Sequence, residues 1–384
     1  MAVKKRRILS LGHSYCVALN RRLPTEMSRV GAGKWEVTVA APAFFRGDLQ
    51  PIKTERFEGE QAALVLLPAY FSALPHIFFY GRRLRGLLDD SWDIVHCWEE
   101  PYILAGGQIA YWTRRQSRLV FWTGQTRVKN YPPPFAQVER YCFKRCAGWL
   151  SRGQLGIDAM LERGHGDRPY AAIGLGVDLD VFFPDKRAGL TVLRELGWSE
   201  IGAPVVGYIG RFVEEKGLGT LLAALDRVST PWRAVFLGGG PMLEGMERWA
   251  SRHMDRVRIV KAVSHERVPA YLNAFDMLCA PSRTAANWRE VFGRMVIEAF
   301  ACEVPVLGSD SGELPSVIGD AGLIVPEGDV NEWVRALENL LDSPELREDL
   351  AKRGLDRVKQ HFTWTAVARK HLEFFERLLD QPIR

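Results

Sequence analysis

The stretch GYIGRFVEEKGLGTLLAAL, residues 207–225, decides the fold. An apolar run ends at Gly210, a short charged loop follows, and from Gly217 onward the apolar residues recur at helical spacing. The segment reads as strand, loop and helix. The first amides of such a helix are unpaired and sit at the positive end of its dipole. With Arg211 and Lys216 alongside, a diphosphate is the anion that suits the loop. The GK[ST] ending of a Walker loop is absent. A surface loop with a solvated Arg and Lys fits the same residues.

Outward from this unit, short apolar runs alternate with helical patterns along the whole chain, the mark of parallel α/β architecture. Strands are expected over 6–12, 35–41, 63–68, 93–98 and 118–122, and again over 204–210, 233–239, 257–260, 276–281, 304–308 and 322–326. The restart implies two doubly wound domains, with a boundary in DVFFPDKRAG (180–189), where Pro184, charged residues and Gly189 interrupt the periodicity. An amphipathic helix is expected over 364–379. FLGGGP (236–241) also follows a strand, but glycines after strands are common.

A chain of 384 residues exceeds the size of a single core, which agrees with two domains. Its 47% hydrophobic and 25% charged content is that of a soluble globular protein. No apolar run approaches the ~20 residues that span a bilayer, and MAVKKRRILSLG is too short in apolar residues for a signal peptide, so a cytoplasmic protein is expected. The cysteines (Cys16, Cys97, Cys142, Cys146, Cys279, Cys302) are scattered. Only Cys142 and Cys146 share helical spacing, with no second pair to complete a zinc set, so free thiols and no metal are expected. A net charge of +5 allows anionic ligands or a membrane surface but is too diffuse to argue for nucleic acid.

A second segment, EVFGRMVIEAFACEVPVL (290–307), carries two carboxylates in apolar company. A helix starting near Gly293 would be apolar on nearly all faces and therefore buried. Ionised Glu298 inside it then needs a cationic neighbour or a ligand's hydroxyl groups. Glu290 falls in the loop before the helix, where the amides of Phe292, Gly293 and Arg294 are free to meet an anion. Carboxylates repel phosphate, so the two glutamates suit hydroxyls on either side of it, as in a nucleotide sugar. The alternative makes Glu290 a dipole-favoured residue near the cap and Glu298 half of an ion pair.

GRFVEEKG, then GGGP, then APS, then Glu290 with Glu298 eight positions on, then PVLGSDSGELP and GLIVPEGD resemble the donor-binding half of the family 4 retaining glycosyltransferases. The likeness covers about 160 residues. The linker IGLGVDLDVFFP (173–184) resembles that family's interdomain link, and DIVHCWEEP and YPPPFAQVERYCFKRCAG (131–148) match more loosely. The resemblance implies the GT-B fold, two Rossmann-like domains with the donor bound mainly on the second. It divides the chain into an acceptor-binding domain, 1–184, joined by a C-terminal helix, 363–384, that packs back on it, and a donor-binding domain, 185–362.

Carried over, the resemblance implies a retaining glycosyltransferase that moves a sugar from a nucleoside-diphosphate sugar to a hydroxyl acceptor. Arg211 and Lys216, after Gly210, become the diphosphate clamp. Glu298 meets the ribose, Glu290 lies near the donor sugar with the Phe292 and Gly293 amides, and the backbone near Val263 faces the base. Arg211, Lys216 and Glu290 are then the catalytic set, because cations and amides stabilise charge developing on the leaving diphosphate, each such group contributing about 3 kcal/mol. No cofactor or divalent metal is implied; Asp178 and Asp180 form a DxD, but inside the linker. Another GT-B enzyme, such as a phosphorylase or sugar-nucleotide epimerase, and a non-catalytic nucleotide-sugar binder are the alternatives.

Acceptor-side candidates are His13 in LGHSYC and His96 and Glu100 in DIVHCWEEP, which end strands where Rossmann-type folds place ligand loops. The first loop lacks the family's paired glycines. FWTGQ (121–125) puts Gln125 where many members carry a histidine, and Glu303 stands where a glycine is frequent. PAYFSALPHIFFYGRRLRGLL (68–88) reads either as a helix packed on the sheet with a solvated basic face or as a contact for a membrane and a lipid-linked acceptor. The expected partners are the nucleotide sugar and a glycan or lipid-linked acceptor, with peripheral contact to the inner membrane face.

Overall fold

The computed structural model describes residues 5–47, 51–57, 59–199, 202–261 and 263–382. Part of the basic N-terminal stretch (1–4) and the last two residues of the expected C-terminal segment (383–384) lie outside them. The chain divides into two compact units, residues 1–176 with 364–384, and residues 177–363.

The first unit holds a parallel sheet of β1 (Arg6–Leu11), β2 (Trp35–Pro42), β3 (Ala63–Leu67), β4 (Ile94–Cys97), β5 (Arg118–Thr123), β6 (Gly148–Ser151) and β7 (Tyr170–Ala172), in the order β7-β6-β5-β4-β1-β2-β3. Its central strands are buried along most of their length, as sheets covered by helices on both faces require. The five strands expected from apolar runs are present. β6 and β7 were not expected, because GWLS is only four residues long and YAA is largely exposed. Helices α1 (Arg22–Val30), α2 (Leu104–Trp112) and α3 (Phe135–Arg145) belong to this unit.

The second unit holds β8 (Val205–Arg211), β9 (Arg233–Gly239), β10 (Val257–Val260), β11 (Met277–Ala280), β12 (Val306–Ser309) and β13 (Leu323–Val325), parallel and ordered β10-β9-β8-β11-β12-β13. Here α4 (Leu218–Leu225) and α5 (Arg294–Ala301) follow β8 and β11. Both sheets therefore reverse direction beside their first strand, at the β1/β4 and β8/β11 pairs. Such switch points leave a crevice at the carboxyl edge of a doubly wound sheet, where ligands bind.

The last helix, α6 (Trp364–Leu379), returns to the first unit. Its buried face, including Trp364, Val367, Leu372, Phe374 and Phe375, joins a core with Ile8, Leu23, Met27 and Val37. Among the described residues no helix is long and apolar enough to cross a membrane. All six cysteines are buried free thiols.

The segment 68–88 differs from a packed helix. Pro68 and Pro75 break the helical register, and residues 69–70 pair antiparallel with 79–80, leaving only Arg83–Leu88 helical. Tyr70, Phe71 and Leu74 stand more than half exposed. Phe71 is held at a φ of 57°, a left-handed conformation unusual for a bulky side chain.

Candidate functional site at the carboxyl edges

In the second unit β8 runs through Arg211, a single turn carries Glu214–Lys216, and Gly217 enters α4 at a φ of 67°. Gly217 cannot be replaced freely. A Cβ there would lie 1.7 Å from the Pro281 carbonyl oxygen, so the loop after β8 presses directly on the backbone after β11. That approach brings Lys216 to Glu290. The ammonium lies 2.5 Å from Glu290 Oε2, which also accepts a 2.9 Å hydrogen bond from Ser282 Oγ, and the Trp288 ring lies 5.0 Å from Lys216 Nζ. Glu290 is 7% exposed, and its carbonyl oxygen is bonded by the Glu313 amide. Arg211 is exposed and makes no ion pair among the described residues.

Gly293, at a φ of 78°, caps α5, and the amides of Phe292, Gly293 and Arg294 donate to no protein acceptor among the described residues. Within the helix, Glu298 is 8% exposed and has no side-chain hydrogen bond or ion pair among them. Burial pushes its carboxyl up to about 7, against a smaller opposing pull from Arg294. Val263 is half-buried in the loop after β10. Gly210, Arg211, Lys216, Glu290, Phe292 and Gly293 are thus gathered around the β8/β11 switch point, with Glu298 one to two turns inside α5. Asp178 accepts a 3.0 Å hydrogen bond from the Asp180 amide, a local turn in the linker. Among the described residues no group of three or more His, Cys, Asp or Glu side chains is placed to hold a metal ion.

At the carboxyl edge of the first sheet the β1/β4 switch point brings His13 to Glu99. The fully buried Glu99 accepts a 2.6 Å bond from the His13 amide and lies 2.5 Å from its Nδ1, while Tyr80 Oη bonds the same carboxylate. His13 stacks on Phe45 with ring centroids 4.8 Å apart and keeps a third of its side chain exposed. Glu100 takes the Gly124 amide at 2.7 Å and Thr123 Oγ1 at 2.8 Å, and burial raises its carboxyl despite those bonds.

Gln125 is fully occupied. Its oxygen accepts from Tyr131 Oη (2.9 Å) and Arg163 Nη1 (2.7 Å), and its amide nitrogen donates to Glu100 and Glu139. It braces a buried network rather than projecting from it. His96 is not brought to this group: it is completely buried against His371 and Phe375 of α6, with Nδ1 3.1 Å from Ser10 Oγ. A histidine in mid-strand of a covered sheet points into the packing layer. Tyr80, Glu139, Arg163 and Ser282 were not foreseen: Ser282 lies in APS, Glu139 in 131–148 and Tyr80 in 68–88, but each meets its partner only through contacts between segments remote in sequence.

Residues 199–357 match the family model "Glycosyl transferases group 1". The chain is 31% identical, over 63% of its length, to a GDP-mannose-dependent alpha-(1-6)-phosphatidylinositol monomannoside mannosyltransferase of Mycolicibacterium smegmatis, of which the match covers 62%. It is 30% identical to a D-inositol 3-phosphate glycosyltransferase 2 of Catenulispora acidiphila, over 55% of this chain and 51% of that protein. The chain thus spans between half and two thirds of the length of these curated relatives. Among solved structures, sucrose-phosphate synthase of Thermosynechococcus elongatus superposes with a TM-score of 0.70 at 21% identity, covering 97% of this chain and 99% of the other. HepE of Anabaena in complex with UDP gives 0.72 at 14%, covering 97% and 100%. At such identities these two likenesses bear on the fold, which is GT-B.

Proposed function

We propose, from the match of residues 199–357 to the group 1 glycosyl transferases, that this protein transfers a sugar, with retention, from a nucleoside-diphosphate sugar to a hydroxyl acceptor without a divalent metal. The observation that carries the reading is the grouping at the β8/β11 switch point of an exposed arginine, a lysine held on a buried glutamate, and a glycine-capped helix with free amides. Arg211, Lys216 and those amides stabilise charge on the leaving diphosphate as the sugar becomes oxocarbenium-like. Glu290 orients Lys216 and accepts from a donor-sugar hydroxyl. Glu298 accepts from a ribose hydroxyl, which supplies the partner its burial demands. Gly210 and Val263 flank the diphosphate and the base.

On the first unit, His13, held by Glu99, is the acceptor-side group, with Glu100 and Gln125 bracing the loop beside it. The acceptor is a glycan or lipid-linked glycan. The exposed Tyr70, Phe71 and Leu74, with the exposed Arg82, Arg83 and Arg85 following in sequence, support peripheral contact with an anionic membrane at the cytoplasmic face.

The test is thermal stabilisation and donor hydrolysis with UDP, GDP and ADP sugars in EDTA, GDP-mannose first because one relative is named for it. One nucleotide class is expected to stabilise the protein, and Arg211→Ala or Lys216→Ala to abolish the effect. Strict dependence on a divalent ion, or binding that survives both substitutions, would refute the clamp. The anomeric configuration of the product, read by NMR, tests retention.

A further inference from the structure

The amino edge of the first sheet, opposite the edge that carries His13 and Glu99, holds a second concentration of charge. The loops that lead into β5, β6 and β7 and the end of α6 enclose a cavity of about 740 Å³. Arg114, Arg115, Arg118, Lys144, Arg145 and Arg168 line it, and among the described residues no aspartate or glutamate does. None of the six makes an ion pair among the described residues.

Their protein contacts are to neutral oxygens. Arg118, 8% exposed, bonds the carbonyls of Gln381 and, at 3.3 Å, Pro382. Arg145 bonds the Thr113 carbonyl at 2.8 Å, and Arg168 bonds that of Lys144 at 2.9 Å. These bonds fix the guanidinium planes without cancelling their charge. Ser117, 7% exposed, also lines the cavity, and its Oγ is buried with no hydrogen-bond partner among the described residues. A buried hydroxyl left unmatched costs about 1–3 kcal/mol, so it marks a place where a partner is missing. Two tyrosines, Tyr111 and Tyr141, also line the cavity and are both exposed.

Six cations held together repel one another, and a concave wall strengthens their field relative to a flat surface. Arginine forks in that arrangement match phosphate oxygens bidentately, and the volume lies within the ~300–1,000 Å³ of small-molecule sites. We infer that the cavity at the amino edge of the first sheet is a binding site for a multiply phosphorylated ligand, distinct from the donor edge, with Ser117 Oγ and the six cations as its polar lining. The concavity favours a phosphorylated small molecule or lipid headgroup over an extended polyanion. This site does not depend on the reading of the donor edge.

The experiment is calorimetric titration of inorganic tripolyphosphate into the full chain carrying Arg211→Ala and Lys216→Ala, so that the donor edge is disarmed. One equivalent is expected to bind. Adding Arg114→Glu with Lys144→Glu, both exposed positions, is expected to weaken binding roughly tenfold or more, and Ser117→Ala several-fold, with circular dichroism unchanged. Absence of saturable binding in the disarmed protein overturns the site, as does affinity unaffected by the charge reversals. Binding of several equivalents that disappears at about 0.15 M salt also overturns it, since scattered surface charge is screened in that way. Phosphatidylglycerol vesicles provide the second arm. Vesicle binding that tripolyphosphate competes away and the charge reversals abolish assigns the site to a lipid headgroup, whereas tripolyphosphate binding alone assigns it to a soluble ligand.

Discussion

Glu298 and His371 are both buried and titratable, and they act on stability with opposite sign. For Glu298 the folded carboxyl, at about 7, lies above its ordinary 4.5. The folded state therefore holds the extra proton, and stability is lost as pH rises through that window, by about 3 kcal/mol in all. Glu298→Gln is expected to flatten this loss in melting curves between pH 5 and 8, and to weaken nucleotide-sugar binding. His371 is pushed down by burial from 6.5 to about 4. The unfolded chain binds its proton first, and stability is lost as pH falls from about 6.5 toward 4. His371→Leu should relieve that acid loss while leaving intact the loss that Glu298 causes as pH rises toward about 7. A Glu298→Gln protein that keeps the full loss of stability between about pH 4.5 and 7 would refute the assignment. Glu303 occupies a turn at a φ of 55°, a left-handed conformation that glycine adopts without strain. Glu303→Gly is expected to be neutral or stabilising by up to about 1 kcal/mol in denaturant unfolding, an exception to the usual cost of introducing glycine.

Among the elements, the loops matter more than the strands they join. The turn after β8 and the helix after β11 were legible from residues 207–225 and 290–307, since a glycine at each helix entry and an apolar run beyond it are local signals. The contact of Lys216 with Glu290, 74 positions apart, was not, because nothing in either segment states how closely their loops approach. The proline-broken stretch 68–88 likewise resolves only in the fold: Pro68 and Pro75 interrupt the helical register, and residues 69–70 pair with 79–80 instead. Membrane contact through this hairpin has a direct check in flotation with vesicles. Phe71→Ser with Leu74→Ser should lower binding to anionic vesicles severalfold while donor hydrolysis in solution stays unchanged, and undiminished flotation would exclude the hairpin as the contact.

At the scale of the whole molecule, α6 binds the end of the chain to the unit in which it begins. Phe374, Phe375 and Leu378 are almost fully buried. Deleting residues 364–384 removes a large share of one core and is expected to abolish the folded first unit, seen as aggregation or loss of its cooperative melting transition, because exposed side chains of this size forfeit about 1.5–3 kcal/mol each. A truncated chain that melts like the full one would contradict this. By itself the sequence determined the alternation of strands and helices, the doubling of the α/β pattern, the strand–loop–helix unit at 207–225 and the glycine-capped helix at Gly293, since each depends on periodicity and turn chemistry within a few residues. Only the tertiary structure decided that His96 is core while His13 rests on Glu99, that Gln125 is consumed in bracing, that Lys216 sits on Glu290, and that six cations share one cavity. Those outcomes depend on strand order and on how far one loop leans on another, and such distances are set by packing between segments tens of residues apart.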